Sequence, residues 1–155
     1  MIDGVQVIPL QRHGDDRGWF MELRRESRLP KPTKQTNVAF TRKGVIKGLH
    51  YHERGQDDLF VCLQGMVRVV LLDRETGETF SLDIGEDNPV AVYVPGRLGH
   101  GYEALTDALF CYEVTEEYDP DEPDEHGIAW NDPRVKHLWS TESPILSERD
   151  KSATS

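Results

Sequence analysis

His50 and His52 in "GLHYH" are one residue apart, Asp58 follows shortly, and His100 arrives just after the Pro95-Gly96 turn of "VPGRLGHGY". Side chains alternate along an extended strand, so His50 and His52 point to one face and Tyr51 to the other. Two chemistries fit. Imidazole suits a general base because its unperturbed pKa lies close to working pH. Three imidazoles and a carboxylate also complete a first-row transition-metal site, which makes His50, His52, Asp58 and His100 a candidate ligand set. The residue types alone leave both chemistries open.

The elements that must position these side chains read as β-strands almost throughout. Short apolar and β-branched runs alternate with Gly, Pro, Asn and Asp. The patterning predicts strands over 5–10, 19–24, 36–41, 45–51, 59–64, 66–73, 79–84, 91–95 and 108–115, at the spacing of an all-β sandwich or barrel. Turn residues at Gln64-Gly65 and in "RETGET" predict that 59–84 is a meander. After Thr115, "EEYDPDEPDE" holds seven acidic residues and two prolines, so 116–126 is expected to be an exposed acidic loop. "DPRVKHLW" and "LSERDKSATS" suit short helical turns, the second capped by Ser147, and 151–155 are expected to be loose.

At 155 residues the chain has the size of one domain. With 28 acidic against 18 basic residues the net charge is −10, which argues against a nucleic-acid or acidic-membrane surface. An anionic ligand must find a local cluster of positive charge. No apolar run is long enough to span a membrane, and the N-terminus lacks a basic segment followed by a hydrophobic stretch. A cytoplasmic protein is therefore expected. Cys62 and Cys111 each lie in an apolar run, where a reduced, buried thiol is the expected state.

Two resemblances sharpen this. The spacing of His50, His52, Asp58 and His100 is similar to the cupin metal motifs, although the acid stands one residue further from the second histidine and Gly96 comes one place early. A second resemblance covers nearly the whole chain: "DDRGWFMEL" (15–23), "QTN" (35–37), "GVIKGLHY" (44–51), "VPGRLGHGY" (94–102), "YEVTEEY" (112–118), "GIAWNDP" (127–133) and "PILSERD" (144–150). In this order they resemble the dTDP-4-dehydrorhamnose 3,5-epimerase family. That resemblance implies a cupin-like jelly roll, no metal or other cofactor, and a homodimer exchanging N-terminal strands. The implied substrate is a 4-keto-6-deoxy sugar on dTDP.

Epimerisation beside a 4-keto group needs a base on one face, an acid on the other, and a means of stabilising the enolate between them. By resemblance, His50 is the base, Asp150 the carboxylate that orients it, and Tyr112 the acid. Arg17, Glu22, Gln35 and Asn37 resemble nucleotide-contacting positions, the first two reaching into the neighbouring subunit's site. His100 and Tyr118 resemble pocket residues. Asp73 falls on an acidic family position, but a strand-end aspartate is equally a turn former. Trp130 and the "NDP" after it read as structural.

The chain departs from the family where chemistry is most exposed to change. Lys47, His52 and Asp58 stand where members usually carry arginine, glutamine and lysine. Lys47 keeps the charge but loses the bidentate fork. Asp58 replaces a cation placed to stabilise the enolate oxygen with a group that repels it. Three explanations fit: His52 as an imidazolium donor held by Asp58, a narrower epimerisation or ketoisomerisation, or conversion to a metal site. The chain is also shorter than a typical member, so substrate-contacting loops are expected to be trimmed.

Overall fold

β6 (Asp58–Gln64) and β7 (Met66–Leu72) are apolar runs with little alternation because both faces of each strand are covered. Phe60 and Cys62 of β6 and Val67, Val69 and Leu71 of β7 meet in one central core. On its other face, β6 packs Leu59 and Val61 beneath Leu10, Leu23 and Leu29 of the N-terminal segment. The other face of β7 sets Val70 and Leu72 against Ile128, Val135 and Trp139 of the C-terminal segment.

The computed structural model describes residues 1–155 as two five-stranded antiparallel sheets and a hairpin. The first sheet has the order β1 (Gln6–Pro9), β9 (Val90–Val94), β6, β11 (Ala108–Val114), β4 (Gln35–Thr41). The second runs β12 (His126–Gly127), β5 (Ile46–Tyr51), β10 (Gly99–Ala104), β7, β8 (Thr79–Gly85). The hairpin joins β2 (Arg12–Asp15) to β3 (Gly18–Met21). One helix, α1 (Glu148–Ser152), and two 3-10 turns, Glu26–Arg28 and Lys136–Leu138, complete the chain. This is the expected all-β, jelly-roll-like architecture with short C-terminal helical turns. No helix is long and apolar enough to cross a membrane.

Three expectations need correction. The meander over 59–84 is only half formed: β7 pairs with β8, whereas β6 lies in the other sheet between β9 and β11. The chain changes sheets at Gly65, whose φ of +77° lies in the left-handed region and whose Cα faces the backbone of Asp107 too closely for a side chain. β10 was not foreseen, because "GHGYEA" carries two glycines and no β-branched residue; all six of its residues are buried. Residues 151–155 are tied back, since the Thr154 carbonyl accepts the Ala129 N–H at 3.0 Å. The Ser147 cap forms as expected, its hydroxyl accepting the Asp150 N–H at 3.1 Å. Both cysteines are free and buried.

Candidate active site

The two sheets part at one end of the core, and the inward-facing residues of four strands line a cavity of about 370 Å³. β5 contributes His50, with His52 just beyond its end; β6 contributes Asp58 and Phe60; β10 contributes His100 and Tyr102; β11 contributes Phe110 and Tyr112. The floor is aromatic. Tyr102 and Phe110 stack with ring centroids 3.9 Å apart, and Phe60 meets Phe110 edge-on at 5.3 Å.

β5 reaches its neighbour through Gly48, whose φ is +127°. A Cβ at Gly48 would lie 2.7 Å from the Gly101 Cα and 2.8 Å from the His100 carbonyl oxygen, so only glycine permits this approach. His50 and His100 consequently stand opposite each other in the β5–β10 register.

His50 and Asp150 form the pair that the resemblance implies, with Nε2 2.7 Å from Oδ1. Asp150 Oδ2 also accepts the Gly48 N–H at 3.1 Å. Burial alone would raise the Asp150 pKa, but the hydrogen bond from His50, its charge, the Gly48 N–H and Arg149 together hold it below the ordinary value. An ionised Asp150 can only accept, so the His50 proton sits on Nε2 and the Nδ1 lone pair is left to act as base. Arg149 Nη2 lies 3.0 Å from His50 Nε2, and Arg149 also pairs with Glu125 at 2.5 Å. Nothing in its residue type singled out Arg149; only the fold of α1 onto β5 brings it here. Tyr112 faces the same cavity from the opposite sheet. Its phenol pKa is raised by burial and by the nearby charges of Asp58 and Glu125, so it stays protonated at neutral pH.

His52, Asp58 and His100 are all buried and gather into a second cluster, with one candidate ligand atom from each within 4.8 Å of the others. His50 does not join them; its Nε2 contacts Asp150 instead. His52 Nε2 and His100 Nε2 each lie 3.6 Å from an Asp58 oxygen. Burial raises the Asp58 pKa to about 6, against the charge of His52 and a hydrogen bond from Gln56. Burial, with His52 and His50 nearby, pushes His100 well below its ordinary value. Gln56, another residue that no sequence signal marked, donates to both His52 Nε2 (3.1 Å) and Asp58 Oδ1 (3.0 Å).

Lys47 and Arg149 both border the cavity. Gln35, Asn37 and Tyr118 instead line an adjoining, wider cavity of about 550 Å³ that shares Gln56, Tyr112 and Glu125 with the first. There Gln35 donates to Asn37 at 3.0 Å and accepts the Tyr118 N–H at 2.9 Å. The loop after β11 forms its acidic wall, including Glu116, Asp119, Glu122 and Asp124. Asp124 also anchors that loop: its side chain accepts the N–H groups of Glu53 and Arg54, and its carbonyl accepts from His52. Arg17 and Glu22 border neither of these two cavities. Arg17 pairs with Asp15 at 2.5 Å and Glu22 with Arg25 at 2.9 Å, both exposed. Asp73 is a turn former that accepts the Glu75 and Thr76 N–H groups and pairs with Arg97.

Known proteins resemble this chain over nearly its whole length. The spore coat polysaccharide biosynthesis protein SpsL of Bacillus subtilis is 42% identical over 150 residues, covering 92% of this chain and 99% of the relative. A dTDP-4-dehydrorhamnose 3-epimerase of Streptomyces niveus is 32% identical over 98% of this chain and 79% of its own. Among solved structures, the dTDP-6-deoxy-D-glucose-3,5-epimerase RmlC of Legionella pneumophila, in complex with dTDP-4-keto-L-rhamnose, superposes with a TM-score of 0.88 at 29% identity. The match covers 99% of this chain and 88% of that one. The family model described as dTDP-4-dehydrorhamnose 3,5-epimerase matches residues 1–155, and the chain belongs to that family.

Proposed function

We propose that the protein epimerises a 4-keto-6-deoxy sugar carried on dTDP, at C3, C5 or both. The observation that carries this reading is the ionised Asp150 holding His50 at one side of a cavity whose other side presents the protonated Tyr112. The 4-keto group acidifies the neighbouring C–H bond. His50 Nδ1 takes that proton, the electron pair moves onto the carbonyl oxygen as an enolate, and Tyr112 returns a proton to carbon from the opposite face. Asp150 fixes the His50 tautomer and stabilises the imidazolium that forms.

The acidic wall of the wider cavity repels a diphosphate, whereas Lys47 and Arg149 at the inner cavity attract one. The amides of Gln35 and Asn37 suit uncharged hydrogen-bonding partners on the nucleotide or sugar. The working unit in this reading is a homodimer in which Arg17 and Glu22 reach the partner's site. Support comes from the exposed Trp19 and Phe20 on the hairpin, from Val38 and Phe40 on β4, and from the position of β4 at a sheet edge.

The test is incubation with dTDP-4-keto-6-deoxyglucose in deuterated water, followed by NMR. Deuterium is expected at C3, C5 or both, and its absence would refute the activity. Incorporation at one carbon alone would establish the narrower reaction.

A further inference from the structure

Beyond the proton-transfer pair, the inner cavity contains three converging electron-pair donors that the reaction above leaves without a role. His52 Nδ1 is 2.5 Å from the Asp124 carbonyl oxygen, and His100 Nδ1 is 2.9 Å from that of Leu98. A carbonyl only accepts, so in each neutral ring the proton is on Nδ1 and the lone pair is on Nε2. Both Nε2 atoms then face the Asp58 carboxylate, each 3.6 Å from one of its oxygens. No hydrogen bond joins His100 Nε2 to Asp58 Oδ2, and the three residues are 4–5% exposed. Gln56 donates to His52 Nε2 and Asp58 Oδ1, whereas the buried lone pair of His100 Nε2 has no donor and the carboxylate no cation.

We infer that His52, Asp58 and His100 bind a divalent first-row transition metal ion through His52 Nε2, His100 Nε2 and the Asp58 carboxylate. Donors bound at tetrahedral zinc distances stand about 3.4 Å apart, so the nitrogen–oxygen pairs need to close by only a few tenths of an ångström. The Nδ1–H contacts to backbone carbonyls are the outer contacts that commonly orient metal-bound imidazoles. Two imidazole nitrogens and a carboxylate, one histidine facing each of its oxygens, select such ions over magnesium or calcium. A half-turn of the Gln56 amide places its oxygen where its nitrogen now lies, 3.1 Å from His52 Nε2 and 3.0 Å from Asp58 Oδ1, as a fourth donor. His50 lies outside the set because its ring nitrogens are not among the ligand atoms that gather within 4.8 Å.

The coordination stands on geometry alone. The role of the ion rests on the epimerase reading: it would supply positive charge in the cavity beside the carbonyl oxygen on which negative charge develops.

The experiment uses the full chain without a polyhistidine tag, stripped with chelator and titrated with Co²⁺. Expected are visible d–d absorption saturating at one equivalent, its loss in His52→Ala, Asp58→Asn and His100→Gln, and its retention in His50→Ala. Circular dichroism identifies folded variants. Histidine ¹H–¹⁵N NMR of the unsubstituted protein needs no variant: Zn²⁺ should move the Nε2 resonances of His52 and His100 most. An unchanged Co²⁺ spectrum, with Gln56 alone tying His52 to Asp58, would overturn the site, as would binding that survives all three substitutions. Metal bound without deuterium exchange keeps the site and rejects the epimerase reading. Full exchange by the stripped protein keeps that reading and rejects the role given to the ion.

Discussion

His50 and Asp150 are 100 residues apart in sequence and 2.7 Å apart in space, and Asp150 also accepts the N–H of Gly48 on the strand that carries His50. The carboxylate is thus fixed to the backbone beside the ring that it orients. Replacing His50 with alanine should lower the rate of deuterium exchange by about 100- to 10,000-fold, the usual range for losing a general base. Asp150→Asn should slow exchange less while leaving substrate binding, measured by calorimetry, largely intact.

Tyr112 approaches the cavity from the sheet opposite His50, so in the proposed reaction proton removal and proton return fall to different faces. Tyr112→Phe should still wash deuterium into the recovered substrate through His50, but form little epimerised product. NMR of the recovered sugar distinguishes the two. Equal loss of wash-in and product would remove Tyr112 from the acid role.

Acid should weaken the fold through Asp150. Its folded pKa lies below the unfolded value, so the ionised carboxylate stabilises the native state. That contribution is complete above the ordinary carboxylate pKa and is lost as pH falls through the folded value. Urea unfolding should show the unsubstituted protein losing more stability between neutral pH and about pH 3 than Asp150→Asn loses. Identical acid slopes would deny the linkage.

Gly48→Ala should destabilise by about 1–3 kcal/mol, the cost of an unfavourable backbone region, because its φ is positive and its Cβ would meet the backbone of His100 and Gly101. Chemical denaturation measures this. Gly77→Ala, where φ is also positive but nothing lies within 4 Å of the added Cβ, should cost less.

If Arg17 serves the partner's site, Arg17→Ala and His50→Ala are each inactive alone, yet hybrids made by co-refolding recover part of the activity. Recovery requires one intact site per mixed dimer. Failure to recover, despite hybrids seen by native mass spectrometry, places Arg17 outside the site.

Much of this molecule was legible in the chain. The strands with β-branched or aromatic runs, such as β6, β7 and β11, declared themselves by composition, and the motifs singled out His50, Tyr112 and Asp150, which the fold brings to one cavity. β10 escaped because burial, not residue propensity, makes "GHGYEA" a strand, and β6 was joined to the wrong neighbour because a turn at Gly65 looks the same whether it closes a hairpin or changes sheets. Gln56 and Arg149 carry no signal in their types or spacing. Their positions depend on loops folding back over the open end of the core. Alternation places His50 and His52 on one face but does not say that His50 turns to Asp150 while His52 gathers with Asp58 and His100.

The aromatic floor of Phe60, Tyr102 and Phe110 lies between the sheet that bears His50 and the sheet that bears Tyr112. Those rings act as a feeler gauge, since their thickness sets how far the two proton-bearing side chains stand apart. The gap between His50 and Tyr112 is therefore adjustable from below, by apolar rings of the cavity floor.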